Sequence, residues 1–246
     1  MPDGHRLYHD LADWWPLISP PAEYTRTARF VAAAFGLAAG EPRDVLDLGS
    51  GGGHLASQLP SRFAVTMVDL SAAMLEQSRR LNPGRPHLVG DMRTVRLGRT
   101  FDVVLAHDAI DYMTTEAELG QVIDTAFAHC RPGGVVVLVP DNTTETFRAA
   151  TGYGGSDGAD GRGARFLEWA YDPDPADSWT LADYAFLLRG ADGAVRVVHE
   201  THRFGLFGHA TWLRLLAEGG FEPQAIAGPG TGDTQQLLFA GRRPST

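Results

Sequence analysis

The side chains best placed to do chemistry in this 246-residue chain are His107 and Asp108, with Asp111 three positions further on. An imidazole that titrates near neutral pH, beside a carboxylate, can take a proton from an attacking nitrogen or oxygen. A second group is Asp47 followed by Gly49, Ser50, Gly51 and Gly53, spaced D-x-G-x-G-x-G. Glycines there let the backbone approach a ligand with no Cβ in the way, and the amides opening the next helix point at whatever polar group lies there. A third is Asp69, twenty positions after Gly49, a carboxylate suited to accept hydrogen bonds from ribose hydroxyls.

The elements that must hold these residues follow from the apolar runs around them. Val45 to Leu48 reads as a buried parallel strand running into the glycine loop and then a helix marked by Leu55 and Leu59. His54 stands where the dinucleotide fingerprint G-x-G-x-x-G has its third glycine, and no Gly-Lys-Ser/Thr follows to make a P-loop. Asp69 ends a second strand, Ala64 to Val68, and by itself serves a nicotinamide or an adenosyl cofactor equally. Gly90-Asp91-Met92, between Leu88-Val89 and the strand Phe101 to Ala106, favours the adenosyl reading. Ser71 caps a helix over Ala72 to Arg80, and another is expected from about Glu116 to His129. Arg131-Pro132-Gly133-Gly134 reads as a tight turn before a fifth strand, Val135 to Val139. Ligands of open parallel sheets sit outside the carboxyl ends of the strands, which places His107 and Asp108 at the site by position.

As an ordered set, residues 44 to 141 resemble the class I S-adenosylmethionine-dependent methyltransferases, and the whole order of elements resembles those acting on natural-product amines and alcohols, aminosugar N-methyltransferases included. The resemblance implies that Asp47 and the loop Gly49, Ser50, Gly51 and Gly53 hold the methionine end of S-adenosylmethionine, Asp69 the ribose and Asp91 the adenine amino group. Met92, Leu70 and Met74 would flank adenine, and His107 would lie against the cofactor. It further implies an α/β fold: a seven-stranded, doubly wound, mostly parallel sheet with a closing antiparallel hairpin. To this would be added an N-terminal helical lid over residues 1–36 and an inserted antiparallel β cap over 151–204. In the lid, Tyr24 would close over the cofactor, with Tyr8 and Trp15 facing the acceptor; Trp14 and Trp15 equally suit packing of the helix on the sheet. Tyr112 and His209 are expected as further acceptor contacts.

Between the fifth and sixth sheet strands, TGYGGSDGADGRG over residues 151–163 reads as a mobile loop. Three cap strands are expected after it, Arg165 to Tyr171, Trp179 to Leu188 and Ala194 to Phe204. Trp169 and Tyr171 share one face of the first of them, with Glu168 and Ala170 facing away, so that the aromatic face is expected to line the acceptor pocket or to pair two copies of the chain.

Bulk properties narrow the reading. A net charge of -9 argues against a polyanionic substrate, so nucleic acid is not expected as a partner. A hydrophobic fraction of 43% and a mean hydropathy of -0.15, with no long apolar run, suit a soluble protein, and the N-terminus lacks an apolar leader, so the cytoplasm is the expected location. A lone Cys130 gives no disulfide framework and no cysteine zinc site, and no metal ion is expected. A methyltransferase acting on N or O of a small molecule is thus the leading reading. The alternatives are a nicotinamide-dependent oxidoreductase and a non-catalytic S-adenosylmethionine-binding protein on the same fold.

Overall fold

Runs of Val, Leu and Met without polar alternation are stable in a sheet only when helices cover both faces, and the chain places its runs accordingly. The structure, a computed structural model, describes residues 5–228 and 236–245. Five parallel strands, β1 (Asp44–Leu48), β2 (Ala64–Asp69), β3 (His87–Val89), β4 (Phe101–His107) and β5 (Cys130–Val139), form most of one sheet. The antiparallel pair β10 (Glu222–Ala227) and β11 (Leu237–Arg242) completes the order β10-β11-β5-β4-β1-β2-β3.

Strand alternation divides the core in two. Leu46, Leu48, Val104 and Ala106 pack with α5 (Glu116–His129) and α6 (His209–Glu218), where Trp212 stacks on Phe239. Val45, Val65, Val103 and Leu105 pack on the other side with α2 (Thr25–Ala34) and α3 (His54–Gln58). Side-chain caps fix where two helices start. The Ser71 hydroxyl accepts the Met74 amide at the head of α4 (Ala72–Leu81), and the Thr115 hydroxyl accepts the Glu118 amide at the head of α5.

A second sheet of four antiparallel strands, β6 (Ala150–Gly154), β7 (Gly163–Tyr171), β8 (Trp179–Arg189) and β9 (Val195–Gly205), lies between β5 and β10 in the chain. Its buried Ala164, Phe186, Leu188 and Val198 pack against Leu7, Leu11 and Ile18 of the N-terminal segment, which is built from short helical turns including α1 (Trp15–Ile18). Lid and cap therefore share one apolar cluster.

Three expectations are corrected. Part of the stretch expected to be a mobile loop is β6, paired with β7 from Ala150↔Ala170 to Gly154↔Phe166. Its glycines serve close approach: a Cβ on Gly154 would lie 2.7 Å from the Phe166 ring. The turn expected over residues 131–134 is instead absorbed into β5 as a bulge, the register jumping from Phe101↔Cys130 to Val103↔Val135. The helix after the glycine loop stops at Gln58, with Leu59 in extended conformation.

Candidate active site

The carboxyl ends of β1, β2, β4 and β5 open beneath the cap onto a cavity of about 280 Å³. On the sheet side it is walled by the loop after β1. Gly49 has φ +76°, and a Cβ there would stand 2.5 Å from the Ala109 Cβ and 2.6 Å from the Met92 Cε, so only glycine fits without displacement. The amides of Gly49 and Ser50 both donate to the Val68 carbonyl, and the Gly51 amide donates to the Asp69 carboxylate at 2.7 Å. The other oxygen of Asp69 accepts the Ser71 amide at 2.8 Å, so one side chain joins the glycine loop to the start of α4. Burial raises the Asp69 pKa, while those two amides pull it back. The Ser50 hydroxyl is buried without a hydrogen-bond partner.

Asp47, Gly49, Ser50, Gly51, Asp69, Met74, His107 and Asp108 all face this cavity, as do Tyr8, Trp15, Tyr24 and Tyr112. The remaining candidates stand elsewhere. Gly53 is outside the lining, and Leu70 is exposed at the end of β2. Asp91 is engaged by its neighbour Arg93, whose guanidinium donates to both carboxylate oxygens and holds the carboxyl below its ordinary range. Met92 packs into the core under Gly49. His209 begins α6, its Nε2 3.1 Å from the Thr143 hydroxyl, and so ties that helix to the segment after β5. The face expected of β7 is reversed: Phe166 and Glu168 look into the cavity, while Trp169 is 58% exposed on the outer side and the Tyr171 hydroxyl donates to Asp183. The N-terminal segment packs on the Ala164 and Phe166 face, which decides the matter.

His107 and Asp108 meet as an ion pair, Nε2 to Oδ1 at 3.0 Å. Asp108 has φ +53° and ψ -56°, the sole non-glycine positive φ among the described residues, held by a hydrogen bond from its amide to the Val139 carbonyl. Burial alone would lower the His107 pKa, but the carboxylates of Asp108, Asp141 and Asp47 outweigh it and the net shift is upward. Asp141, which the sequence reading missed, follows β5 at the cavity wall. Its pKa is raised well above the ordinary value, first by the charge of Asp108 and then by burial. Its signal was present, since it stands at the carboxyl end of a parallel strand as Asp69 and His107 do.

A chain of hydrogen bonds lines the cap side: the Tyr8 and Tyr112 hydroxyls are 2.7 Å apart, Tyr112 reaches His202 Nδ1 at 2.7 Å, and His202 Nε2 reaches Glu200 at 3.1 Å. His5 joins its far end, bringing donor atoms of His5, Glu200 and His202 within 4.8 Å of one another, a grouping not anticipated from the sequence. His54 is buried beneath Trp15, which stacks on it, and burial lowers its pKa to about 4, so it stays neutral.

Residues 45–134, which carry the glycine loop after the first strand and the acidic end of the second, match the family described as a methyltransferase domain, and the chain is an S-adenosylmethionine-dependent methyltransferase. Among its relatives is the dTDP-3-amino-3,6-dideoxy-alpha-D-glucopyranose N,N-dimethyltransferase of Streptomyces fradiae, 29% identical over 89% of this chain and 84% of the other. Among solved structures, Streptomyces venezuelae DesVI superposes with a TM-score of 0.77 at 25% identity, covering 99% of this chain and 100% of that one. CalS10, an amino pentose methyltransferase from Micromonospora echinaspora solved with S-adenosylmethionine bound, gives 0.73 at 26% identity, with 98% of each chain covered. Among the described residues no helix is long and apolar enough to cross a membrane.

Asp47 supplies a pH test of this geometry. Burial pushes its carboxyl up to about 7, against an ordinary 3.8. A raised value means that the folded chain keeps a proton the unfolded chain has shed, so its stabilising contribution is complete below 3.8 and is lost as pH rises through about 7. Thermal midpoints of the parent and Asp47→Asn should therefore differ by an amount that shifts against the parent between about pH 4 and 7.5. A difference that stays flat across that range refutes the shift.

Proposed function

We propose that this methyltransferase methylates the nitrogen of a small-molecule amine of the aminosugar type. The observation that carries the reading is the meeting of His107, Asp108 and Asp141 at the wall of the cavity that the glycine loop also lines. The relatives that act on amino sugars support it. The nicotinamide alternative is disfavoured by the position of His54 in place of a third loop glycine and by the family match.

The residues present fit S-adenosylmethionine. The loop leaves the Ser50 hydroxyl without a protein partner, and Gly49, where a Cβ would strike Ala109 and Met92, lets the loop lie close against the segment after β4. Asp47 and Ser50 would hold the methionine end, and Asp69 would accept from the ribose hydroxyls, with Tyr24 and Trp15 closing over them. Bound there, the cofactor supplies a methyl group that is already electrophilic on its sulfonium. What the chain adds is alignment of the acceptor nitrogen and exclusion of water by the aromatic lid and cap. The amine proton passes to the carboxylate of Asp108, with the His107 imidazole hydrogen-bonded to the same Oδ1 as the next station.

Three variants separate binding from chemistry. Asp69→Ala removes charge-assisted acceptors and should weaken S-adenosylmethionine binding by about 1.5–3 kcal/mol, read by calorimetry; unchanged affinity in a folded variant removes Asp69 from the site. His107→Ala or Asp108→Asn should lower kcat ~10²- to 10⁴-fold with the cofactor still bound. Turnover within a few-fold of the parent in both would leave alignment as the whole of catalysis.

Pairing of two copies through the cap is supported by the outer face of its sheet, where Leu167, Trp169, Leu187 and Val197 stand exposed. Sedimentation should show a dimer in the parent and a monomer in Trp169→Asp. A monomeric parent ends that part of the reading.

A further inference from the structure

The hydrogen-bond chain through Tyr8, Tyr112 and His202 ends on Glu200 of β9, where His5 of the N-terminal segment meets it. Glu200 is 8% exposed and His202 1%. Neither His5 nor Glu200 lines the cavity, so this grouping stands behind the wall of the site already described. No metal ion is expected from the sequence, where positions 5, 200 and 202 are far apart and show no ligand spacing.

Among the described residues the Glu200 carboxylate pairs with histidines alone, His202 at 3.1 Å and His5 at 3.9 Å, and no arginine forms an ion pair with it. Buried charges are ordinarily matched by an opposite charge or bound to a metal. Burial first, and then the charge of His202, lowers the His5 pKa to about 4, so its imidazole is neutral and does not supply that match. Neither ring nitrogen of His5 has a hydrogen bond: Nε2 is buried without a partner, and Nδ1 stands 3.9 Å from Glu200 Oε2. The spacing of the other two donors suits an ion. His202 Nε2 and Glu200 Oε2 are 3.1 Å apart; two ligands at about 2.0–2.1 Å from a tetrahedral zinc ion stand roughly 3.3 Å apart. Their outer contacts follow the pattern that holds metal ligands in place, with His202 Nδ1 on the Tyr112 hydroxyl at 2.7 Å and Glu200 Oε1 accepting the Leu7 amide at 2.9 Å.

We propose that His5, Glu200 and His202 form a site for a zinc ion that clasps the N-terminal segment to β9, with water in the fourth position. Two imidazoles with one carboxylate suit zinc, whereas magnesium and calcium take oxygen ligands. His202 gives up any proton on Nε2 as the ion arrives and keeps the one on Nδ1, which donates to the Tyr112 oxygen. The rings of His5 and His202 lie 4.0 Å apart between centroids, closer than two imidazoles on one tetrahedral ion, so binding shifts His5 and tightens the end of the lid on the cap. The site is independent of the acceptor reading above and bears on how the lid is held.

Titration of the untagged, chelator-stripped protein with zinc chloride in a calorimeter tests the site. The parent should bind one ion per chain, and cobalt chloride in its place should give the visible absorption of a tetrahedral site. His5→Ala and Glu200→Gln should each weaken zinc at least about tenfold, while His199→Ala, at an exposed histidine of the same strand, should change it by less than about twofold. Hydrogen exchange over residues 7–18 should slow about tenfold when the parent is saturated with zinc, and should not respond in His5→Ala. The measurement on the parent decides the clasp even where a variant does not fold. No zinc binding by the parent, parent-like binding by either folded variant, equal loss in His199→Ala, or lid exchange unmoved by zinc in the parent each overturns the proposal.

Discussion

The carboxylate of Asp69 is the contact on which the site is built. It sits at the last position of β2 and holds two amides at once, Gly51 in the loop after β1 and Ser71 at the head of α4. The Val68 carbonyl beside it takes the amides of Gly49 and Ser50. The loop is thus shaped by the end of the neighbouring strand, and the parallel register Leu48↔Val68 is what brings the two ends level. With the loop fixed, Gly49 comes against Met92 and Ala109, and the segment carrying His107 and Asp108 falls beside it at the cavity wall.

Much of this was legible because burial on both faces leaves a plain mark in sequence. Val45 to Leu48, Ala64 to Asp69 and Phe101 to His107 carry no polar alternation and became the central strands, while Ser71 and Thr115 marked two helix starts through their hydroxyls. The cap was harder to read. A strand such as β6, with Gly152 and Gly154, has the composition of a flexible loop, and its pairing depends on Phe166 and Glu168 lying close across from it. Alternation in β7 separates Glu168 from Trp169, but periodicity does not say which set turns inward; the N-terminal segment, distant in sequence, decides that. Asp141 was missed although it follows a parallel strand as Asp69 and His107 do, because it acquires its meaning only beside Asp108.

Electrostatically the site runs against the usual economy of protein interiors. Asp47, Asp111 and Asp141 are buried near one another, and each is pushed toward its neutral form. These acidic groups are thus gathered where solvent does not screen them. The Asp141 amide on Asp111, the charge of Arg85 toward Asp47, and His107 toward Asp47 and Asp141 moderate that field from within the fold. A ligand bearing positive charge meets a site organised in advance to receive it, with little reorganisation left to do on arrival.

The apolar cluster shared by lid and cap carries a kinetic consequence. Leu7, Leu11 and Ile18 are packed against Ala164, Phe186 and Val198, and the same segment is tied by Tyr8 to Tyr112 and through it to His202 on β9. Moving the lid alone would uncover that cluster and sever the Tyr8 end of the chain of hydrogen bonds in one event. Entry to the cavity and departure from it then share one barrier, because neither lid nor cap opens without uncovering the cluster they have in common.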